Sequence, residues 1–142
     1  MSLAELLKSG EIGETEPDRE AALKLLKASS ESIAAAEDNV GIGHNEVALS
    51  LAYTAMLNAG RALMAAKGYR TSAESHHKVV VSFCAAVLPA PSSQLVGLFN
   101  RYRVRRHDIV YGEVEAKSVG ESEAKTAIAK AEEFVALIEG RI

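Results

Sequence analysis

A stripe of alanines constrains this chain more than any other feature. Ala48, Ala52, Ala55, Ala59, Ala62 and Ala66 recur at alternating four- and three-residue spacing. That rhythm places all six on one side of an α-helix, where small side chains let a second helix approach closely. Leu49, Met56, Leu63 and Met64 occupy adjoining positions and supply bulk. The spacing predicts a helix over about residues 46–67, with Asn45 as its N-cap and Gly68 as its stop.

The same reading gives a short helix near residues 3–8 and four more long ones. A polar linker follows the short helix through residues 10–16. Thr15 and Pro17 then supply an N-cap and a first-turn proline for a helix over about residues 18–38. Ala22, Leu26, Ser29, Ile33, Ala36 and Val40 share its buried face. The turn at residues 39–44 holds two glycines, but neither Gly-Lys-Ser/Thr nor Gly-x-Gly-x-x-Gly follows, which argues against a phosphate loop. The next segment, about residues 75–88, contains Val79, Val80, Val81, Phe83, Cys84, Val87 and Leu88. Its valines favour a strand, but no second alternating run offers a partner, so it is assigned as a buried helix. Pro89 and Pro91 break it. Ser92 or Ser93 caps the following helix, which runs to Tyr111 before Gly112. Ser118-Val119-Gly120-Glu121 has the pattern of a capping box opening the last helix. Its inner stripe is Ala124, Ala127, Ile128, Ala131, Phe134, Val135 and Ile138. The expected architecture is all-α, an up-and-down bundle of four to five helices. Residues 1–16 form a short N-terminal helix and linker, and residues 17–142 one bundle domain.

Composition narrows the function classes. The chain has 142 residues, enough for one real core but not two. Its single cysteine excludes an internal disulfide framework and a CxxC redox or zinc site. No apolar run approaches the roughly 20 residues that span a membrane. The N-terminus lacks the basic start and long apolar stretch of a signal peptide, so the expected location is the cytoplasm. Net charge is −3, which does not suit a protein coating nucleic acid over its whole surface. However, Arg101-Tyr-Arg-Val-Arg-Arg-His107 concentrates four arginines in seven residues. A cationic patch on an acidic body suggests a localised phosphate site; arginines paired with acids on a solvated face are the other reading.

At about 100° per residue, Leu95, Leu98, Phe99, Tyr102 and Ile109 share one helix face. Arg106 falls inside that stripe, Arg105 at its edge, and Arg101 and Arg103 flank it on opposite sides. A permanently charged guanidinium on an apolar stripe needs an anion, a carboxylate partner or a wet interface. Arg101, Arg103, Arg105 and Arg106 are therefore candidate phosphate or RNA contacts, and Arg106, His107 and Tyr111 candidate catalytic residues. His76 and His77 are adjacent and point apart, unlike a helical metal-binding pair, so no metal is expected. Cys84 reads as a small buried hydrophobe and His44 as a solvent-facing turn residue. No cofactor motif is legible.

Three blocks, in order, carry a family resemblance. They are Tyr53-Thr-Ala-Met-Leu-Asn-Ala-Gly-Arg-Ala-Leu-Met-Ala-Ala-Lys-Gly-Tyr69-Arg70, then Ser75-His-His-Lys-Val-Val-Val-Ser-Phe83, then Arg106-His-Asp-Ile-Val-Tyr-Gly112. Ala131-Glu-Glu-Phe-Val135 closes the pattern. From about residue 17 onward the chain resembles HEPN domains. The resemblance implies a helical bundle that is usually a homodimer, and often a partner of a minimal nucleotidyltransferase in a toxin–antitoxin or accessory pair. Many such proteins are metal-independent ribonucleases with an Arg-x4-6-His motif in a cleft at the dimer interface. Here Arg106 is followed five positions later by Tyr111, so the likeness is to a branch with Arg-x4-Tyr-Gly. A literal Arg-x5-His match, Arg101 with His107, lies off the apolar stripe. Tyrosine, whose phenol ordinarily titrates at about pH 10, is a poor base at neutral pH. The resemblance therefore implies binding of nucleotide or RNA phosphate, with Tyr111 a candidate acceptor of a transferred nucleotide. A ribonuclease toxin and a purely structural dimerising bundle remain the alternatives.

Overall fold

The computed structural model describes residues 1–72 and 77–142. Its elements are α1 (Leu3–Lys8), β1 (Ile12–Glu14), α2 (Arg19–Gly41), α3 (Asn45–Lys67), β2 (Tyr69–Thr71), α4 (His77–Val87), α5 (Ser93–Tyr111) and α6 (Glu121–Glu139). Short 3-10 turns, Ala90–Ser92 and Val114–Lys117, precede and follow α5. The architecture is an all-α bundle, as the periodicity requires.

α3 is the central helix, packed against α2, α4, α5 and α6. The alanine stripe explains how one helix holds so many neighbours. Ala48, Ala52, Ala55, Ala59 and Ala62 are all buried. Their small size lets backbones approach closely enough that the buried Ser29 hydroxyl on α2 donates to the Ala55 carbonyl at 2.8 Å. The larger groups of α3, Tyr53, Met56 and Leu63, are fully buried, as are Phe83 on α4, Phe99 on α5 and Phe134 on α6. The full predicted stripe of α6 is buried.

Several helix ends differ from the sequence expectation. Asp18, rather than Thr15, caps α2, its carboxylate accepting from the Ala21 amide at 3.0 Å. Thr15 is drawn elsewhere: its amide bonds to the Gly68 carbonyl at 2.9 Å. His44 stands at the cap position of α3, and Asn45 is its first helical residue. The capping box at 118–121 does not form; α6 starts after Gly120 with no side-chain cap. Gly68 ends α3 as expected, in the left-handed region at φ 83°. The predicted start of α4 at Ser75 or His76 lies outside the described residues.

Sequence pattern misses the small antiparallel ribbon. β1 pairs with β2 in the register Ile12↔Thr71, Gly13↔Arg70 and Glu14↔Tyr69. Three residues per strand are too few for alternation to be read. The ribbon ties the N-terminal segment to the end of α3, and Leu6 and Ile12 join the bundle's core.

Candidate functional site

Three helices deliver the site's side chains. α4 is apolar from Val79 to its end at Val87 apart from Ser82, and Val79, Val80, Val81 and Phe83 face the core. That leaves His77, Lys78 and Ser82 along one edge. α5 turns Phe99, Tyr102 and Ile109 inward, which sets Arg103 and Arg106 half-buried at the margin facing α4. Between them lies a cavity of about 800 Å³, whose lining includes His77, Lys78, Ser82, Arg103, Arg106 and His107. Glu11, just before β1, contributes the carboxylate of the lining. The size suits a small ligand or a short stretch of a larger one.

Tyr53, from α3, forms the floor beneath His77. Its ring is buried and its hydroxyl lies 3.0 Å from His77 Nδ1. Burial pushes the Tyr53 phenol up to about 12, although Arg103, Arg106 and Arg61 pull the other way. The phenol therefore keeps its proton at neutral pH. Burial also lowers the pKa of His77 below the ordinary histidine value, helped by the fields of Arg61, Arg106 and Arg103. The same three guanidiniums thus act on both members of the pair. The Tyr53 ring continues inward against Phe99 (centroids 5.9 Å apart), and Phe99 against Phe134 (5.1 Å). This aromatic row anchors the site in the core.

The four predicted arginines divide. Arg103 and Arg106 reach the cavity. Among the described residues no carboxylate lies within ion-pair distance of either. Arg103 Nε donates to Asn100 Oδ1 at 3.1 Å. Arg105 instead faces α6, where Nε and Nη2 grip the two Glu123 oxygens at 2.7 and 3.2 Å. Its Nη2 also donates to the Ser118 carbonyl at 2.8 Å. Arg105 is thus the arginine paired to an acid of a neighbouring helix. Arg101 is exposed and does not line the cavity.

His107 is exposed but lines the cavity rim. Its ring packs against Tyr111, with centroids 4.9 Å apart. Tyr111 is 71% exposed and outside the cavity lining. Cys84 is fully buried, and burial pushes its thiol up to about 12. Among the described residues no group of three or more His, Cys, Asp or Glu side chains could hold a metal ion. No described helix is long and apolar enough to cross a membrane.

Sequence reasoning missed Tyr53, Arg61, His77, Lys78 and Ser82 as a constellation. A signal for part of it exists: His77, Lys78 and Ser82 interrupt an otherwise apolar helix at adjacent and i, i+4 positions, which places them on one edge.

An all-helical bundle whose arginine-bearing helix flanks a cationic cavity defines a class of protein, and the comparison with known families agrees with it. The chain belongs to the HEPN domain family, whose family model matches residues 22–141. That family is of a general RNA-binding, ribonuclease or toxin–antitoxin type. No curated protein matches the chain.

Proposed function

We propose that this HEPN chain binds phosphate groups of RNA or a nucleotide in the cavity between α4 and α5. One observation carries the reading. Arg103 and Arg106 converge with Lys78 and two imidazoles on one cavity, and among the described residues no carboxylate, Glu11 of the same lining included, lies within ion-pair distance of either guanidinium. Two half-buried guanidiniums are costly beside an apolar face unless an anion visits them, and phosphate matches their planar donor geometry. Arg105, already satisfied by Glu123, is a structural residue in this reading.

The test measures binding of labelled single-stranded RNA without added metal. Arg103→Ala and Arg106→Ala should each weaken binding and lower the slope of log affinity against log salt by about one. Arg101→Ala, outside the cavity, serves as the comparison. Undiminished binding in both cavity variants would overturn the proposal. Cleavage of the RNA by the wild-type chain, lost in Arg106→Ala, would establish the ribonuclease toxin in its place.

Pairing is part of the same proposal. The exposed apolar side chains Val104, Val110, Tyr111 and Val114 run along the end of α5 and the turn after it. They suit an interface with a second copy or with a nucleotidyltransferase. Tyr111 is accessible enough to accept a nucleotide from such a partner. Its phenol oxygen would attack the α-phosphorus of ATP, pyrophosphate would leave, and the phenol proton would pass to water. Intact mass after incubation with a co-encoded nucleotidyltransferase and ATP reads this directly, and Tyr111→Phe should show no gain.

A further inference from the structure

His77 stands apart from the arginine helix that sequence motifs single out. It is also the cavity residue whose orientation is set from beneath, by a buried hydroxyl. We infer that His77, held through Nδ1 by Tyr53, contacts the bound phosphate through Nε2 and takes up a proton as the phosphate binds, so that anion occupancy and protonation are coupled at this site. This rests on the phosphate-binding reading above and adds to it a further contact and a pH response.

On this inference Tyr53, buried and retaining its proton, donates its hydroxyl to His77 Nδ1 across their 3.0 Å contact in the free protein. The neutral imidazole then carries its own proton on Nε2, the nitrogen left for the cavity. In that state His77 offers an uncharged N–H donor among cations. The surroundings keep it uncharged. Arg61 acts from α3, Arg103 and Arg106 from α5, and Lys78 stands beside it on α4; His107, Glu11 and Met1 with its amino group share the cavity lining. A phosphate entering this group neutralises the guanidinium field and favours the imidazolium, whose Nδ1–H then donates to the Tyr53 oxygen. The Tyr53 hydroxyl can serve as donor to the neutral ring and acceptor from the charged one, so it positions the imidazole in both states. Tyr53 is a positioning residue and His77 the ligand contact.

The sign follows from linkage. His77 has a pKa below the ordinary histidine value in the free protein and a higher one in the complex. Affinity therefore rises as pH falls through the higher value and levels off below the lower one. One proton gives at most about a tenfold change per pH unit in that window.

The experiment uses the full chain and a short 2′-O-methylated oligouridylate, whose phosphodiesters and bases do not titrate in this range and which cannot be cleaved. Affinity is measured by calorimetry between about pH 5.5 and 8, in buffers of different ionisation heat, to count protons taken up. Wild type should show proton uptake and tighter binding at low pH. His77→Gln keeps an amide donor but cannot titrate; it should still bind, with that component of the pH slope lost. His44→Asn, which removes an exposed imidazole outside the cavity, should keep the slope. Tyr53→Phe should weaken binding by about two- to tenfold, as expected for one lost hydrogen bond. Nitrogen-15 NMR of the wild-type imidazole gives a measurement that needs no variant. His77 should be protonated on Nε2 when free, and its titration midpoint should move up when the probe binds. An unchanged slope in His77→Gln, or a midpoint that does not move, overturns the inference while leaving phosphate binding standing. No binding of the probe by wild type overturns both.

Discussion

Substituting one glycine tests how closely α3, α4 and α5 pack. Gly60 lies in the buried interior of α3, where alanine is ordinarily better by about 1 kcal/mol. A Cβ placed there would sit 2.6 Å from Val80 Cγ1, 3.3 Å from Cys84 Sγ and 3.4 Å from Phe99 Cε2. Carbon atoms pack best at about 3.5–4.0 Å, so the new methyl intrudes on Val80 by roughly 1 Å. Val80 cannot swing aside cheaply. It is fully buried, and a helical valine has one strongly preferred rotamer. Overpacking of this kind costs about 1–3 kcal/mol, and more where neither side yields. With neither side able to yield, the upper part of that range applies, about 2–3 kcal/mol, and less about 1 kcal/mol of helix propensity Gly60→Ala should destabilise the chain by about 1–2 kcal/mol net.

The double variant isolates the cause. Val80→Ala alone removes two buried methyl groups and should cost about 2–3 kcal/mol. In that background the closest clash is gone and only the tighter-than-usual contacts with Cys84 Sγ at 3.3 Å and Phe99 Cε2 at 3.4 Å remain, so the second substitution should be neutral or stabilise by up to about 1 kcal/mol. Loss of the Gly60→Ala cost implies a coupling of about 1–3 kcal/mol, within the range for residues in contact. Urea titrations followed by helical circular dichroism, at one fixed protein concentration, read all four chains. A neutral or stabilising Gly60→Ala in the wild-type background, or costs that simply add in the double variant, would refute the reasoning.

Three further outcomes follow from single contacts. Arg105→Ala should cost about 1 kcal/mol, because its two-pronged grip on Glu123 is part-exposed, and should leave RNA affinity nearly intact; a loss of affinity as large as that of Arg106→Ala would contradict the division of the arginines. Ser29→Ala should cost about 1 kcal/mol in urea titration through loss of the hydroxyl bond to Ala55, and a variant as stable as wild type would show that the close α2–α3 approach does not depend on it. Cys84 should resist thiol reagents in the folded chain, since its thiol is fully buried and pushed up to about 12; labelling as fast as that of the urea-unfolded chain would show that α4 is not packed as described.

Much of the bundle was legible because its apolar spacing is regular over many turns. Five of the six alanines of the α3 stripe are buried, Ala66 at its end only partly so, the inner face of α6 is buried as the period requires, and Gly68 ends α3 where a residue with positive φ is needed. Cap chemistry was less legible, because several residues compete for one role. Thr15 and Asp18 are both good caps, and only the ribbon decides between them: it draws the Thr15 amide to the Gly68 carbonyl and leaves Asp18 to start α2. The ribbon itself is too short for a pattern. The site was legible in half. Arg106 on an apolar stripe announced a charge in need of an anion, but sequence could not say which of two adjacent arginines would find a carboxylate. A turn of about 100° sends Arg105 to Glu123 on α6 and Arg106 to the cavity beside α4.

The unread half of the site depends on the contact that Gly60 makes possible. Tyr53 and Gly60 are seven residues apart on α3, as are Phe99 and Arg106 on α5, so each pair shares a face about two turns long. Phe99 touches both levels: its ring meets Tyr53, and its Cε2 comes within contact distance of a Cβ built at Gly60. On α4, Val80 lies one turn from His77. The backbone approach at Gly60 and Val80 therefore sets how far α4 stands from α3 at the level where Tyr53 holds His77. A methyl at Gly60 that pushes α4 outward should lengthen the 3.0 Å hydroxyl–imidazole contact as well as lower stability. The check is the nitrogen-15 spectrum of His77 in folded Gly60→Ala. A mixture of imidazole tautomers is expected there, restored towards the Nε2-protonated form when Val80→Ala is added. A tautomer unchanged in Gly60→Ala would show that packing and site are independent.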